Sequence, residues 1–250
     1  MSERKQFVLV TGASSGIGRT VAAGLSSSYD VILSGRNLEN LNETKKLCSD
    51  KADTLIFQKD LSDIHNLEKD LSGFLLEKNI EVSHFVHCAG YMKMIPFKMV
   101  TTETIHTIFS TNLFSAALIF KVLTNRKTNN HALKSAVFIS SNISNFGSRA
   151  FSLYGASKAG LDGLMRNLAM EFAPTVRVNS ILPGAINTGM TASIFSQPET
   201  VRKLEETYPL GLGKTDDILN LTEFLLSDKS QWITGQQFTI DGGRTVNLTT

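Results

Sequence analysis

Short apolar runs alternate along the chain with longer segments in which apolar residues recur every three or four positions. The short runs are typical of buried strands, and the longer ones of helices packed on one face. The runs predict seven strands, Phe7–Val10, Val31–Ser34, Thr54–Gln58, His84–His87, Ala136–Ser140, Val176–Leu182 and Gln237–Ile240. The segments between them predict six helices, Gly18–Ser26, Leu38–Leu47, Ile64–Glu77, Thr102–Leu123, Tyr154–Glu171 and Thr215–Leu226. This alternation predicts an α/β fold, a doubly wound parallel sheet between two layers of helices.

Length and composition indicate a single domain spanning residues 1–250, because 42% of the residues are hydrophobic and no repeat or linker interrupts the chain. Ligands of such sheets bind outside the carboxyl ends of the strands. We therefore expect the functional residues just after strands, and a mobile substrate loop at about 188–209.

Charge and cysteine content narrow the function classes. The 25 basic and 23 acidic residues give a net charge of +2, which argues against a nucleic-acid partner. No apolar run suggests a signal peptide or a membrane span, and two cysteines, Cys48 and Cys88, suggest reduced thiols. The five histidines show no ligand-type spacing with cysteines or carboxylates. We expect a cytoplasmic protein with no membrane partner and no metal site.

The segment Thr11–Gly18 follows the first predicted strand and opens the first helix. Its glycines allow a tight turn and a close approach of the backbone to a pyrophosphate, and the helix N-terminus presents free N–H groups. This context favours a Rossmann-type dinucleotide site over an empty glycine-rich turn. The predicted contacts are Gly12, Ser14, Ser15, Gly16, Ile17 and Gly18.

The second strand ends at Gly35-Arg36, where a Rossmann fold that binds NAD usually has an acid that accepts bonds from the ribose 2′-hydroxyl. An arginine instead favours a 2′-phosphate, so Arg36 predicts NADPH, with NAD the weaker candidate and a solvated arginine the alternative. After the third strand, Asp60 and Leu61 are placed to contact the adenine. The competing interpretation is that Asp60 is a helix cap for the segment that follows it, a role that Ser62 or Asp63 would serve equally well.

Tyr154 and Lys158 are four residues apart, so on a helix their side chains share one face. A free phenol has a pKa of about 10 and is a poor proton donor or acceptor at neutral pH. A nearby ammonium group favours the phenolate, so we expect Lys158 to lower the pKa of Tyr154. The pair predicts a general acid/base for a carbonyl or alcohol oxygen.

These motifs are joined by Ala89-Gly90 after the fourth strand, Asn112, Ser141 and Pro183-Gly184. Together they resemble the classical short-chain dehydrogenase/reductase family over essentially the whole chain. Within it the chain is most similar to 3-oxoacyl-[acyl-carrier-protein] reductases and related carbonyl reductases. The resemblance implies an NADPH-dependent oxidoreductase that acts on a ketone or alcohol.

The resemblance also implies a catalytic tetrad. Ser141, thirteen positions before Tyr154, would hold the substrate oxygen, while the adjacent Ser140 points to the other side of the strand. Tyr154 would donate the proton, and Lys158 would bind the nicotinamide ribose. Asn112 would anchor a water that leads from Lys158 to solvent; an interior polar residue bonded to backbone is the alternative.

Further cofactor contacts follow from the family resemblance. These are Ala89 and Gly90, the turn Pro183-Gly184 against the nicotinamide, Ile186 through its backbone, and Thr188 through its hydroxyl near the carboxamide.

Two departures from the family pattern stand out. Cys88 replaces the usual Asn of Asn-Ala-Gly; a thiol behaves as a small hydrophobe, which implies weaker bracing of the strand but not a nucleophile. The short loop Ala173-Pro174-Thr175 lacks the basic residues that acyl-carrier-protein reductases tend to carry. It weakens the case for an acidic carrier partner.

The substrate therefore stays open. A 3-oxoacyl compound, linked or not to an acyl carrier, is the first candidate, with Met92, Ile95, Phe146, Met190 and Phe195 around the mouth of the site. A sugar, polyol or cyclic alcohol is the second. A non-catalytic NADP sensor on the same fold is the alternative from another class. The family implies a homodimer or homotetramer that acts on a small molecule.

Overall fold

The structure is a computed structural model that describes residues 7–246. Seven strands form one parallel sheet. They are β1 (Phe7–Thr11), β2 (Asp30–Gly35), β3 (Thr54–Gln58), β4 (Val82–His87), β5 (Ser135–Ile139), β6 (Arg177–Pro183) and β7 (Gln237–Ile240).

Ten helices accompany the sheet within the described residues. They are α1 (Gly16–Leu25), α2 (Leu38–Leu47), α3 (Leu67–Lys78), α4 (Thr102–Phe109), α5 (Ser115–Thr124), α6 (Arg126–Asn129), α7 (Ser152–Phe172), α8 (Ala192–Phe195), α9 (Pro198–Thr207) and α10 (Thr215–Leu226).

The strand order is β3-β2-β1-β4-β5-β6-β7, and every neighbouring pair is parallel. The chain starts in the middle, winds outward to β3, returns to place β4 beside β1, and then winds to the other edge. The direction changes between β1 and β4, and this switch point is where open parallel sheets bind ligands. The predicted doubly wound fold is confirmed.

Side chains of β1 alternate between two cores, one on each face of the sheet. Phe7 and Leu9 join the core packed under α3, α5 and α7, while Val8 and Val10 join the core under α1 and α10. Since both faces of the strand are buried, its sequence is apolar at four consecutive positions and ends in the buried Thr11.

The predicted helix Thr102–Leu123 contains an irregularity that the apolar pattern did not show. Between α4 and α5, residues Ser110–Phe114 form a π-helical turn, and Asn112 lies inside it. A π-turn inserts one extra residue per turn and is frequent at functional sites. The segment Thr102–Thr124 is long and apolar enough to cross a membrane, contrary to the expectation from the sequence. Half of its apolar window is buried inside the domain, as in the core helix of a globular protein.

The segment 188–209, expected to be a loop, contains two helices, α8 and α9. Pro198 occupies the first turn of α9, where its missing N–H is not needed, and it was the local signal for a helix start. No residue of α9 is buried. The strongly apolar spacing that marks core helices is therefore absent, which explains why the pattern missed this helix.

Candidate active site

The turn after β1 brings the ends of two strands into contact. Gly12 has a φ of +67°, and a side chain there would place its Cβ 2.8 Å from the backbone nitrogen of Ala89, just after β4. At Ser15, the residue before α1, the side chain makes no capping hydrogen bond. The first N–H groups of α1 therefore remain available to an anion in the cleft.

The basic side chains of Arg36 and Lys59 and the carboxylate of Asp60 follow the ends of β2 and β3 and line one part of the cleft. Asp60 Oδ1 accepts bonds from the Ser62 N–H at 2.9 Å and the Ser62 hydroxyl at 2.8 Å. Asp60 thus closes a local turn and does not cap a helix, because α3 begins only at Leu67, after Asn66. Although burial opposes it, these bonds together with Arg36 and Lys59 hold the pKa of Asp60 below its ordinary value. Lys59 also pairs with Asp70 at 2.7 Å.

Arg36 forms no ion pair with any described residue within salt-bridge distance, and its side chain is exposed at the cleft. A guanidinium group that is not held in a close ion pair is available for bidentate binding of a phosphate. The geometry thus matches the chemistry predicted for this position.

Tyr154 and Ser141 are neighbours in the wall of the cleft, and both are buried. Tyr154 is at the start of α7, and Ser141 follows β5, so the carboxyl end of the sheet and the helix jointly form the pair. Burial raises the pKa of Tyr154 to about 12, and the Ser141 hydroxyl beside it partly opposes that rise. Tyr154 is therefore protonated at neutral pH.

Lys158 lies one turn along α7, with its ammonium 5.9 Å from the centre of the Tyr154 ring. Its Nζ donates to the carbonyl oxygen of Ile139 at 2.8 Å. Burial lowers the pKa of Lys158 to about 8, while Asp162 and Cys88 raise it. The expected net lowering of the Tyr154 pKa is wrong in this geometry, because burial of the phenol outweighs the influences that favour the phenolate.

Asn112 is buried and does not line the cleft itself. Its Oδ1 accepts from the Tyr91 N–H at 2.7 Å, and its Nδ2 donates to the Tyr91 carbonyl at 3.1 Å and to the Ser157 hydroxyl at 2.9 Å. A Cβ at Gly90 would lie 3.6 Å from Lys158 Nζ and 3.8 Å from Asn112 Oδ1. Asn112 therefore both braces the backbone and lies close to the ammonium group.

The turn after β6 is braced by residues that sequence reasoning did not select. The Ala185 N–H donates to the hydroxyl of Tyr208 at 2.9 Å, and the Thr191 hydroxyl donates to the Ile186 carbonyl at 2.6 Å. A Cβ at Gly16 would come within 3.0 Å of Thr188, so this turn reaches the phosphate loop.

These parts form one cleft of about 990 Å³. Besides Arg36, Ser141, Tyr154 and Lys158, the predicted residues that line it are Gly12, Ser14, Ser15, Gly16, Ile17, Gly18, Asp60, Leu61, Ala89, Gly90, Pro183, Gly184, Ile186 and Thr188. Of the apolar residues expected at the mouth, Met92, Phe146, Met190 and Phe195 line the cleft, whereas Ile95 is buried outside it.

Similarity to known proteins identifies the family to which the chain belongs. A family model described as Enoyl-(Acyl carrier protein) reductase matches residues 12–245. Carbonyl reductase [NADPH] 2 of Sus scrofa is 31% identical over 238 residues, which cover 94% of each chain. The chain belongs to the short-chain dehydrogenase/reductase family.

Other members of this family differ in the substrates they are named for. L-xylulose reductase of Bos taurus is 29% identical, with 94% of each chain covered. A 3-oxoacyl-[acyl-carrier-protein] reductase of Buchnera aphidicola is 27% identical, with 97% of this chain and 98% of the relative covered. A solved 4-hydroxyisoleucine dehydrogenase mutant complexed with NADH and succinate superposes with a TM-score of 0.87 at 29% identity, covering 97% and 99%. The protein is thus an NAD(P)-dependent oxidoreductase for alcohol or carbonyl groups.

The residues present fit a dinucleotide of the kind that this family uses. The space in front of Gly12 is closed to any side chain, the start of α1 has uncapped N–H groups, and Arg36 is free for a phosphate. Among residues 7–246, no group of three or more His, Cys, Asp or Glu side chains is placed to hold a metal ion.

Cys88, the departure from the family pattern, is a thiol and not a thiolate, because burial raises its pKa to about 12. Its neighbours are braced by Thr11, whose hydroxyl accepts from the Ala89 N–H at 3.2 Å and bonds His87 Nδ1 at 3.0 Å. The strand end is therefore held by Thr11.

Several lining residues were missed. Lys59 and Ser62 flank Asp60 after β3, and Arg244 and Thr245 follow β7, so the rule that ligands bind at the carboxyl ends of strands would have found them. Tyr208 lies between α9 and α10 with no motif around it, and only the three-dimensional structure identifies it.

Proposed function

We propose that the protein reduces a ketone with NADPH and that Tyr154 is the proton donor. The observation that carries the proposal is the buried pair of neighbouring Ser141 and Tyr154 side chains, with Lys158 one helical turn away, on the wall of a cleft that the predicted dinucleotide-binding residues also line. The nicotinamide, when bound, supplies a hydride to the carbonyl carbon. The chain itself holds the substrate oxygen and moves the proton.

In this mechanism the Ser141 hydroxyl donates a hydrogen bond to the ketone oxygen and holds it near Tyr154. As negative charge develops on that oxygen, Tyr154 transfers its proton to it. A pKa of about 12 keeps Tyr154 protonated at pH 7, which suits a donor in the reductive direction. The phenolate that remains is stabilised by the Lys158 ammonium nearby.

Reprotonation of Tyr154 requires a path for a proton through Lys158. We assign Asn112 to that path because Lys158 Nζ and Asn112 Oδ1 both lie within 4 Å of the point where a Cβ at Gly90 would be. Asn112 Oδ1 accepts one bond from Tyr91 and has a second lone pair, which can accept from a water that links it to the ammonium.

NADPH is proposed over NADH because Arg36 is free and no acid occupies the end of β2. Carbonyl reductase [NADPH] 2 supports this choice by its name, whereas the solved 4-hydroxyisoleucine dehydrogenase held NADH. The cofactor preference thus depends on residues at this position and not on the family alone.

Two substrate classes are supported. A 3-oxoacyl thioester is supported by the Buchnera relative and by the apolar side chains of Met92, Phe146, Met190 and Phe195 along the cleft. A sugar or polyol ketone is supported by L-xylulose reductase and by the polar side chains of Asn142, Tyr208 and Arg244 in the same cleft.

A substrate panel decides between the two classes. We would measure kcat/KM, by NADPH absorbance, for a carrier-linked 3-oxoacyl substrate, its free thioester mimic, several keto-sugars and several cyclic ketones. If a keto-sugar or cyclic ketone exceeds both thioesters tenfold, the 3-oxoacyl assignment is wrong. If the carrier-linked substrate has the same kcat/KM as the free thioester mimic, the protein has no acyl-carrier partner. The lack of basic residues in the short Ala173–Thr175 loop would agree with that result. No turnover of any ketone would leave the NADP sensor as the function.

We also propose that the protein is a homodimer or homotetramer. Large apolar side chains are exposed at Phe114, next to α5, at Met170 in α7 and at Trp232, which is 99% exposed. Light scattering checks this directly, and a mass equal to one chain would contradict it.

A further inference from the structure

Helix α7 carries a third buried ionisable residue in line with Tyr154 and Lys158. Asp162 follows Lys158 by four residues, as Lys158 follows Tyr154, so all three side chains share one face of the helix. Their exposed fractions are 8%, 3% and 1%. Tyr154 and Lys158 are explained by the proposed reaction, whereas Asp162 does not line the cleft and has no part in it.

The surroundings of Asp162 are unusual for a carboxylate. Its Oδ2 accepts a hydrogen bond from the Ser140 hydroxyl at 2.9 Å, and that hydroxyl also lies 3.3 Å from the Lys158 carbonyl oxygen. Its Oδ1 is buried without a hydrogen-bond partner in the described part of the chain. A buried carboxylate with so few bonds is costly unless a cation compensates it.

Lys158, one turn earlier on α7, is the nearby cation: the charge of Asp162 raises its pKa, although the two groups are not within ion-pair distance. The other ionisable groups around Lys158 are Tyr154 on the same helix, His87 at the end of β4 and Cys88 just after it. From β5 comes the carbonyl of Ile139. Burial, reinforced by Lys158, lowers the pKa of His87 to about 3, and burial raises that of Cys88 to about 12. Both are neutral at pH 7, so Asp162 supplies the negative charge among these groups.

Ser140 links the Asp162 carboxylate to the end of β5, where Ser141 follows. Ser140 and Ser141 are consecutive and project to opposite sides, Ser140 toward Asp162 and Ser141 toward Tyr154. A bond between Ser140 and Asp162 therefore fixes the end of β5 against α7, and with it the distance between Ser141 and Tyr154.

We propose that Asp162 is a positioning residue with two actions: its charge keeps the buried Lys158 protonated, and its bond to Ser140 aligns Ser141 with Tyr154. The inference rests on the proposed function, because both actions matter only if Lys158 and Ser141 serve the reaction. It predicts that the charge and the hydrogen bond can be removed separately, with different consequences.

The first test compares the pH dependence of kcat/KM, at saturating NADPH, in three variants. Asp162→Asn retains an acceptor for Ser140 but removes the charge, so the alkaline limb of the profile should move down by at least one pH unit. Ser140→Ala retains the charge, so it should lower kcat/KM at every pH without moving that limb. Glu171→Gln removes an exposed acid from the same helix and should change neither. If the alkaline limb of the Asp162→Asn profile coincides with that of the wild type, the proposal is overturned.

The second test does not depend on turnover. Thermal unfolding is compared in Asp162→Asn, Lys158→Met and the double variant. If the two charges stabilise each other, each single variant leaves one buried charge alone, and the double variant should unfold at a higher temperature than either. This includes the case in which Asp162→Asn alone does not fold. If the decrease in unfolding temperature of the double variant equals the sum of the two single decreases, the coupling between Asp162 and Lys158 is refuted. Absence of ketone reduction would refute only the proposed function.

Discussion

Tyr154 and Lys158 show how burial changes the chemistry that a residue pattern suggests. Their spacing correctly predicted a shared helix face, and the residues after each strand correctly predicted most of the cleft wall. The direction of the Tyr154 pKa shift was not predictable, since it depends on how deeply the phenol is buried. The same holds for Asp162, which is ordinary in sequence and becomes notable only because it is buried beneath Lys158.

Arg36 provides a prediction at this scale. Replacing it with alanine removes a charge-assisted bond to the 2′-phosphate, worth about 1.5–3 kcal/mol, so NADPH affinity should fall roughly ten- to a hundredfold. NADH affinity should change little. Both dissociation constants are measured by quenching of protein fluorescence. An equal loss for NADPH and NADH would show that Arg36 does not read the phosphate.

Among the elements, those with a strong apolar period were predicted and those without it were not. All seven strands and the core helices appear within a few residues of their predicted bounds, as with Thr215–Leu226, which matches α10 fully. The exposed α9 and the π-turn at Ser110–Phe114 were missed. The π-turn depends on backbone hydrogen bonding that side-chain polarity does not encode, although it carries Asn112.

In the turn between β1 and α1, adding one methyl group at Gly12 should reduce both stability and cofactor affinity. Gly12→Ala would force a side chain into a positive φ and to within 2.8 Å of the Ala89 backbone, so the protein should lose about 1–3 kcal/mol of stability and at least tenfold in NADPH affinity. Gly73→Ala in the exposed part of α3 is the control. Nothing lies within 4 Å of its Cβ, and it should be neutral or stabilising by up to about 1 kcal/mol. Urea unfolding measures both, and equal effects would refute the packing argument.

At the scale of the whole molecule, the alternation of strands and helices was sufficient to predict the doubly wound sheet and hence the edge at which the site forms. It could not predict substrate class or assembly, because these depend on loop residues and on surfaces without a repeating pattern. The expected homodimer or homotetramer stays a prediction.

The buried histidines of β4 make the whole domain sensitive to acid. Burial, with smaller effects of nearby cations, lowers the pKa of His87 to about 3 and that of His84 to about 4, against 6.5 in the unfolded chain. As the pH falls from 6.5 toward 4, the unfolded state takes up protons that the folded state does not. Each histidine should therefore cost about 1.4 kcal/mol of stability per pH unit.

The variant His87→Gln isolates this effect from that of the carboxylates. Its unfolding free energy in urea, measured between pH 6.5 and 4.5, should decline less steeply than that of the wild type by about 1.4 kcal/mol per unit. Parallel slopes would mean that His87 is already protonated in the folded protein.

The central claim is that Tyr154 delivers a proton to the oxygen of a ketone reduced by NADPH. The most direct measurement is the single-turnover rate of NADPH oxidation by the wild type and by Tyr154→Phe, with the best ketone of the panel, after NADPH binding to both has been shown to be equal. A general acid contributes about 10²–10⁴-fold, so the rate should fall by at least that factor while cofactor affinity persists. A Tyr154→Phe variant that oxidises NADPH at close to the wild-type rate would contradict the account.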